Sequence, residues 1–263
     1  MTDPTCHFSH AITRHPAASA VDGLRAHDFG PPDMARLQTD HDAYVAALRA
    51  AGAEVTVLPP LSGYPDAMFV EDTALCLPQG AVILRPGAPS RLGEAAEMEP
   101  TLATHFADLR RIDGPGYVEG GDILVTGREI LVGRSARTNT AGVAELARIV
   151  ADWGHPLREV ETPADILHFK TDCSLLDAET ILTTERLATA GCFEGYRLIY
   201  TAEGEEAAAN TIRVNDVVVM PGGFPRTAER LDHVGYRLVE INNSECAKLD
   251  GGMSCLSLRF NSV

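Results

Sequence analysis

One cysteine, one histidine and several carboxylates recur at comparable places in this 263-residue chain. They sit in Phe69-Val70-Glu71-Asp72, Val118-Glu119-Gly120-Gly121-Asp122, His168-Phe169-Lys170-Thr171-Asp172 and Asp250-Gly251-Gly252-Met253-Ser254-Cys255. If these segments face one another, Asp72, Glu119, Asp122, His168, Asp172 and Cys255 share one small cavity. That composition suits attack by a thiolate on a positively charged carbon. A guanidinium is a planar cation with donors in a fixed fork, which carboxylates grip bidentately. Its carbon is a poor electrophile, but a soft thiolate adds to it when carboxylates hold it in line. The amine departs only if protonated, which is work for a histidine, and the same histidine then activates water. A carboxylate beside the histidine raises its pKa and keeps it charged for the first half of the reaction.

The elements that must position these residues repeat. Asp72, Asp122 and Asp172 are fifty residues apart, and each precedes two hydrophobic runs around a short polar turn, the pattern of a hairpin. A fourth unit starts near Asn210 with Ile212-Arg213-Val214 and Val217-Val218-Val219-Met220. A fifth runs from Asp250 into the last strand, 256–260, whose expected partner is the N-terminal segment 6–12, since unpaired strand edges are a liability. Helices fall between the hairpins. Asp33 is placed to cap one carrying Met34, Leu37, Tyr44, Val45 and Leu48 on one face. Thr140 is placed to cap a second, with Val143, Leu146, Ile149, Val150 and Trp153 inward. Thr227 is placed to begin a third, with Leu231 and Val234 inward. Paired strands with an intervening helix, five times over, predict an α/β propeller around a central cavity.

Composition excludes other classes. Hydrophobic residues are 45% and charged residues 22% of the chain, as in ordinary globular proteins. The formal net charge of −15 repels phosphate backbones, so no nucleic acid partner is expected. No basic stretch followed by an apolar run opens the sequence and no run is long enough to span a bilayer, so neither a signal peptide nor a membrane partner is expected. The six cysteines include no CxxC pair and read as reduced thiols of a cytoplasmic protein.

The ordered motifs resemble a known family. Pro65-Asp66, Phe69 to Asp72, Arg85-Pro86-Gly87-Ala88-Pro89-Ser90-Arg91, Val118 to Asp122, Ser135-Ala136-Arg137-Thr138-Asn139, Leu167-His168-Phe169-Lys170, Ala208-Ala209-Asn210 and Asp250 to Cys255 are similar to those of the dimethylarginine dimethylaminohydrolases, within the guanidino-modifying pentein superfamily. The likeness spans about residues 8–260. It implies a five-bladed pseudo-symmetric α/β propeller, one catalytic domain over residues 1–263, and hydrolysis of methylated arginines to citrulline and a methylamine through a covalent cysteine intermediate. It implies Cys255 as nucleophile, His168 as general acid and base, and Glu119 as its carboxylate partner. Asp72 is implied as the main guanidinium anchor with Glu71 beside it. Arg91 and Arg137 would hold the substrate's α-carboxylate, Asp66 would lie near its α-amine, and the carbonyls of Leu24 and Leu249 would touch the same end. The stretch 22–32 would be a mobile lid. No metal or organic cofactor is implied, and a small molecule is the expected partner. Oligomeric state stays open, a homodimer included. Asp172 and Cys173 receive no catalytic role, and Leu92 departs from the second basic residue that many relatives carry after the position of Arg91. Two other readings stand beside this one: a short arginine deiminase or amidinotransferase, and a non-catalytic propeller used as a binding scaffold.

Overall fold

The computed structural model describes residues 4–261. Five three-stranded sheets are arranged as blades. In each, an inner strand pairs antiparallel with the middle strand, and the middle strand pairs parallel with an outer one. The blades are Ala74–Leu77, Gly80–Ile83 and Leu109–Arg111; Ile123–Val125, Ile130–Arg134 and Leu157–Glu161; Cys173–Asp177, Thr180–Thr183 and Arg197–Tyr200; and Ile212–Val214, Val217–Pro221 and Arg237–Ile241. The remaining blade joins the chain ends: His10–Arg14 pairs antiparallel with Leu258–Phe260 and parallel with Glu54–Leu58. Closure by first and last strands follows the sequence expectation, but the N-terminal strand begins at His10, while Pro4–Cys6 is a 3-10 turn.

A parallel neighbour cannot be reached by a tight turn, so each middle and outer strand is joined by a crossover carrying a helix. These are Met34–Ala50, Glu99–Leu102, Thr140–Ala151, Glu185–Ala188 and Pro225–His233. Asp33 caps the first as expected, accepting from the N–H groups of Ala35 and Arg36. The cap of Thr140–Ala151 is Asn139, whose side chain accepts from Gly142 N; Thr140 is already helical. The crossover helix expected to begin at Thr227 starts earlier, at Pro225, which needs no N–H partner in the first turn. Val234 corrects the sequence reading: it lies just past that helix and is 54% exposed, while Leu231 is buried.

The apolar stripe of Met34–Ala50 packs Leu37, Tyr44 and Leu48 against Val217, Val219 and Ile241. Val143, Leu146 and Val150 of the Thr140–Ala151 helix pack with Val82, Ile130 and Val132. These packed blades fix the ends of the inner strands, where the polar residues collect. Among the described residues, no helix is long and apolar enough to cross a membrane.

Candidate active site

Each inner strand is entered through a short 3-10 turn: Val70–Thr73, Gly120–Asp122, Phe169–Thr171, Glu206–Ala209 and Ser254–Leu256. These turns bring the repeat-start residues together. Glu71 and Asp72 lie within the first, Glu119 caps the second, His168 caps the third, Asn210 ends the fourth, and Cys255 lies in the fifth.

The centre of the cluster is a buried carboxylate–histidine pair. Glu119 Oε2 lies 2.7 Å from His168 Nε2, and Glu119 is fully buried. Its other oxygen accepts from the N–H groups of Gly87 (2.9 Å) and Ala88 (3.3 Å), and Arg137 Nη1 stands 3.6 Å away. Asp72 accepts from Gly121 N at 2.8 Å and from Arg91 Nη1 at 2.6 Å. A Cβ on Gly121 would come within 2.8 Å of the His168 ring. The Gly-Gly pair is therefore a packing demand of the site as well as a turn signal. Asp122 receives Phe169 N at 2.8 Å and Ser135 Oγ at 2.6 Å, which fixes the backbone next to His168.

Burial and neighbouring charge act against each other here. Burial disfavours an imidazolium at His168, but Asp72, Asp122 and the Glu119 hydrogen bond outweigh it and raise its pKa to about 9. Burial likewise opposes ionisation of Asp72, yet the positive His168 and Arg91 hold its carboxyl at about 2. Asp66 and Asp122 are pushed upward by burial, partly countered by Arg91 at the first and His168 at the second.

The sulfur environment is sparse by comparison. Cys255 Sγ receives Gly252 N at 3.4 Å, and Asn210 Nδ2 lies 3.9 Å away. Burial, then the negative charges of Glu71 and Asp72, push the thiol up to about 11. Asn210 also accepts Ser254 N at 2.9 Å, tying the fourth repeat to the turn of Cys255.

The residues expected at the substrate's amino-acid end divide. Arg91 is deeply buried, with Nε and Nη2 on Glu94 and Nη1 on Asp72, so its guanidinium is largely engaged by the protein itself. Burial opposes its charge, but Glu94 and Asp72 more than restore it. Arg137 keeps 21% of its side chain exposed. Asp66 Oδ1 accepts from Leu24 N at 2.9 Å, fixing the root of the 22–32 stretch, and Ala26 N donates to Asp250. Leu249 is buried nearby, where a Cβ on Gly23 would lie 3.3 Å from its Cδ2. A groove of about 1350 Å³ opens over Asn210 and Gly252, with Ala26 and His27 on its wall. Glu71 binds Lys170 at 2.6 Å and Arg259 at 3.0 Å, and all three line a second cavity of about 460 Å³. Asp172, placed with the others by spacing alone, is held instead by Thr184 and Arg186.

Asp72, Glu119 and His168 present donor atoms within 4.8 Å of one another, near enough for a divalent ion. Both oxygens of Asp72 and the His168–Glu119 bond are already committed, so an ion would have to displace those partners. Asn210 and Glu94 went unassigned in the sequence reading. Asn210's signal was its place at the start of the fourth repeat. Glu94's was its position three residues after Arg91.

A five-bladed α/β propeller with cysteine, histidine and carboxylates at its inner strand ends defines a guanidino-modifying pentein. The arginine deiminase family model matches residues 56–213. The chain is 41% identical to the N(G),N(G)-dimethylarginine dimethylaminohydrolase of Pseudomonas aeruginosa, covering 96% of this chain and 100% of the relative. It is 32% identical to the Streptomyces coelicolor protein of the same name, over 96% of this chain and 97% of the relative. A solved structure of a mutant of the Pseudomonas aeruginosa protein, complexed with citrulline, superposes with a TM-score of 0.94 at 40% identity, covering 97% of this chain and 100% of that one. The chain belongs to the arginine deiminase family.

Proposed function

We propose that this protein hydrolyses Nω-methylated arginines to citrulline and a methylamine, with Cys255 as the covalent nucleophile and residues 1–263 acting as one catalytic unit. The observation that carries the reading is the buried Glu119–His168 pair beside Asp72, joined through neighbouring repeat turns to the turn holding Cys255. Likeness to relatives named for this reaction supports it along nearly the whole chain.

The site's resting state is informative. Near neutral pH, His168 is an imidazolium and Cys255 a thiol, given pKa values of about 9 and about 11. An arriving guanidinium brings positive charge to a sulfur whose ionisation is opposed by Glu71 and Asp72. That cation stabilises the thiolate, and the thiol proton leaves to solvent. The thiolate adds to the guanidinium carbon while Asp72 and Glu119 hold the nitrogens through the lone pairs that their protein partners leave free. His168 protonates the departing methylamine or dimethylamine, the C–N bond breaks, and a positively charged thiouronium remains on Cys255. Neutral His168 then takes a proton from water, hydroxide adds to the same carbon, and the C–S bond breaks to give the urea of citrulline and the thiol. In this reading Arg137, whose side chain is partly exposed, meets the substrate carboxylate. Arg91 acts chiefly through Asp72, which it anchors, and adds its charge to the carboxylate end.

Incubation with asymmetric dimethylarginine, monomethylarginine and arginine, scoring methylamines against ammonia, tests the reading. Release of dimethylamine with stoichiometric citrulline is expected. Turnover of arginine alone, with ammonia as the only amine, would overturn the substrate assignment.

A further inference from the structure

The buried face of the helix Met34–Ala50 carries one residue out of keeping with its neighbours. His41 lies among Leu37, Tyr44, Val45 and Leu48, is 1% exposed, and has no hydrogen-bond partner at either ring nitrogen among the described residues. An imidazole always presents polar atoms at both nitrogens, and leaving both unmet inside a protein is unfavourable. Facing it is His15, just beyond the strand His10–Arg14, with ring centroids 5.3 Å apart. Asp42 stands on the solvent side, its Oδ1 4.0 Å from His41 Nδ1. The donor atoms of His15, His41 and Asp42 all fall within 4.8 Å of one another. Gln38, one helical turn before Asp42, donates to its Oδ1 at 2.8 Å and lies 3.0 Å from His15 Nδ1, holding the two outer groups on the same side of the buried ring.

We propose that His15, His41 and Asp42 form a divalent transition-metal site, of the kind that takes Zn2+, separate from the catalytic cluster. Two imidazoles and a carboxylate are a donor set suited to zinc, with solvent completing a tetrahedral shell. Bonds near 2.0–2.1 Å require donors roughly 3.3–3.5 Å apart, so the ligands must close by about an ångström. His41 is fixed by the core, while His15 is half-buried and Asp42 exposed, so the two outer ligands can make that movement. In the chain, His15 precedes and His41 follows the stretch 22–32. The ion would therefore tie together the two roots of the segment next to Asp66 and Asp250.

Zn2+ titrated calorimetrically into the full chain carrying Cys255→Ser tests the site, because that background removes the thiol nearest the catalytic cluster. One ion should bind through this site and raise Tm. His15→Ala and Asp42→Asn, at a half-buried and an exposed side chain, should each weaken that binding by about tenfold or more while lowering the metal-free Tm only slightly, since the side-chain hydrogen bond at stake in each is with Gln38. Adding His168→Ala should retain the ion, and Co2+ in its place should show visible d–d bands without thiolate charge transfer. Absence of saturable binding, binding unaffected by both His15→Ala and Asp42→Asn, or loss of the only ion with His168→Ala would each overturn the proposal.

Discussion

The two halves of the candidate active site are built differently. On the acid side, Glu119 accepts from two backbone N–H groups and pairs with His168, and Asp72 is locked between Gly121 and Arg91. Every one of these oxygens is buried and committed. On the sulfur side, Cys255 has one long contact from Gly252 and a still longer one from Asn210. The difference extends to charge: the surroundings of His168 stabilise its cation, while those of Cys255 oppose its anion. In the proposed mechanism, a pre-charged His168 and an un-ionised Cys255 wait for the substrate's own positive charge. Such a site discriminates against neutral molecules before chemistry begins.

The sharpest break of this asymmetry is Cys255→Ser. A serine hydroxyl is similar in shape but far less nucleophilic, so kcat should fall by about 10⁴-fold or more with the fold intact by circular dichroism. Retention of more than a few per cent of activity would remove the covalent step.

Next is Glu119→Gln, which strips the acid side of its carboxylate. A loss of roughly 10²–10⁴ in kcat is expected, the range for a general acid put out of place. By the same change, the His168 titration seen by NMR should move below about 9, since Glu119 contributes to raising it. The sign in wild type is that His168 loses its proton as pH rises through about 9. Its acid function therefore persists until the pH approaches about 9, whereas its share of folding stability is full below the ordinary histidine range and is lost as the pH rises through about 9. An unmoved titration would mean that Glu119 does not set the charge of His168.

Arg137→Ala should raise KM for methylated arginines, cutting kcat/KM by roughly 30- to 1000-fold, while agmatine, which lacks the carboxylate, is nearly unaffected. Equal losses on both substrates would show that Arg137 supports Glu119, which it approaches at 3.6 Å, and does not clamp the carboxylate. The smallest effect is expected for Asn210→Ala, about tenfold in kcat, corresponding to roughly 1.4 kcal/mol from one lost positioning contact at the sulfur. No change in kcat or in the rate of Cys255 alkylation would leave Asn210 only a tether for Ser254.

The repeats were legible because each blade writes the same local pattern: a polar turn, a short apolar strand, a tight hairpin. Asp72, Glu119, His168 and Cys255 could be placed together because each stands at the start of such a unit. What the pattern could not carry was the identity of partners across blades. Asp172 keeps the spacing of Asp72 and Asp122 yet turns to Arg186, and nothing local distinguishes it. Arg91 reads as an open cation until Glu94 and Asp72 close around it. Val234 has the helical spacing of a core residue but falls beyond the end of its helix, where the period no longer applies.

Rapid-quench mass spectrometry during turnover of asymmetric dimethylarginine tests covalent catalysis most directly. Cys255 as nucleophile predicts a thiouronium adduct that appears and decays within the reaction, localised to the peptide containing Cys255 and missing from Cys255→Ser. Full turnover with no adduct at any quench time, together with an active Cys255→Ser protein, would contradict it.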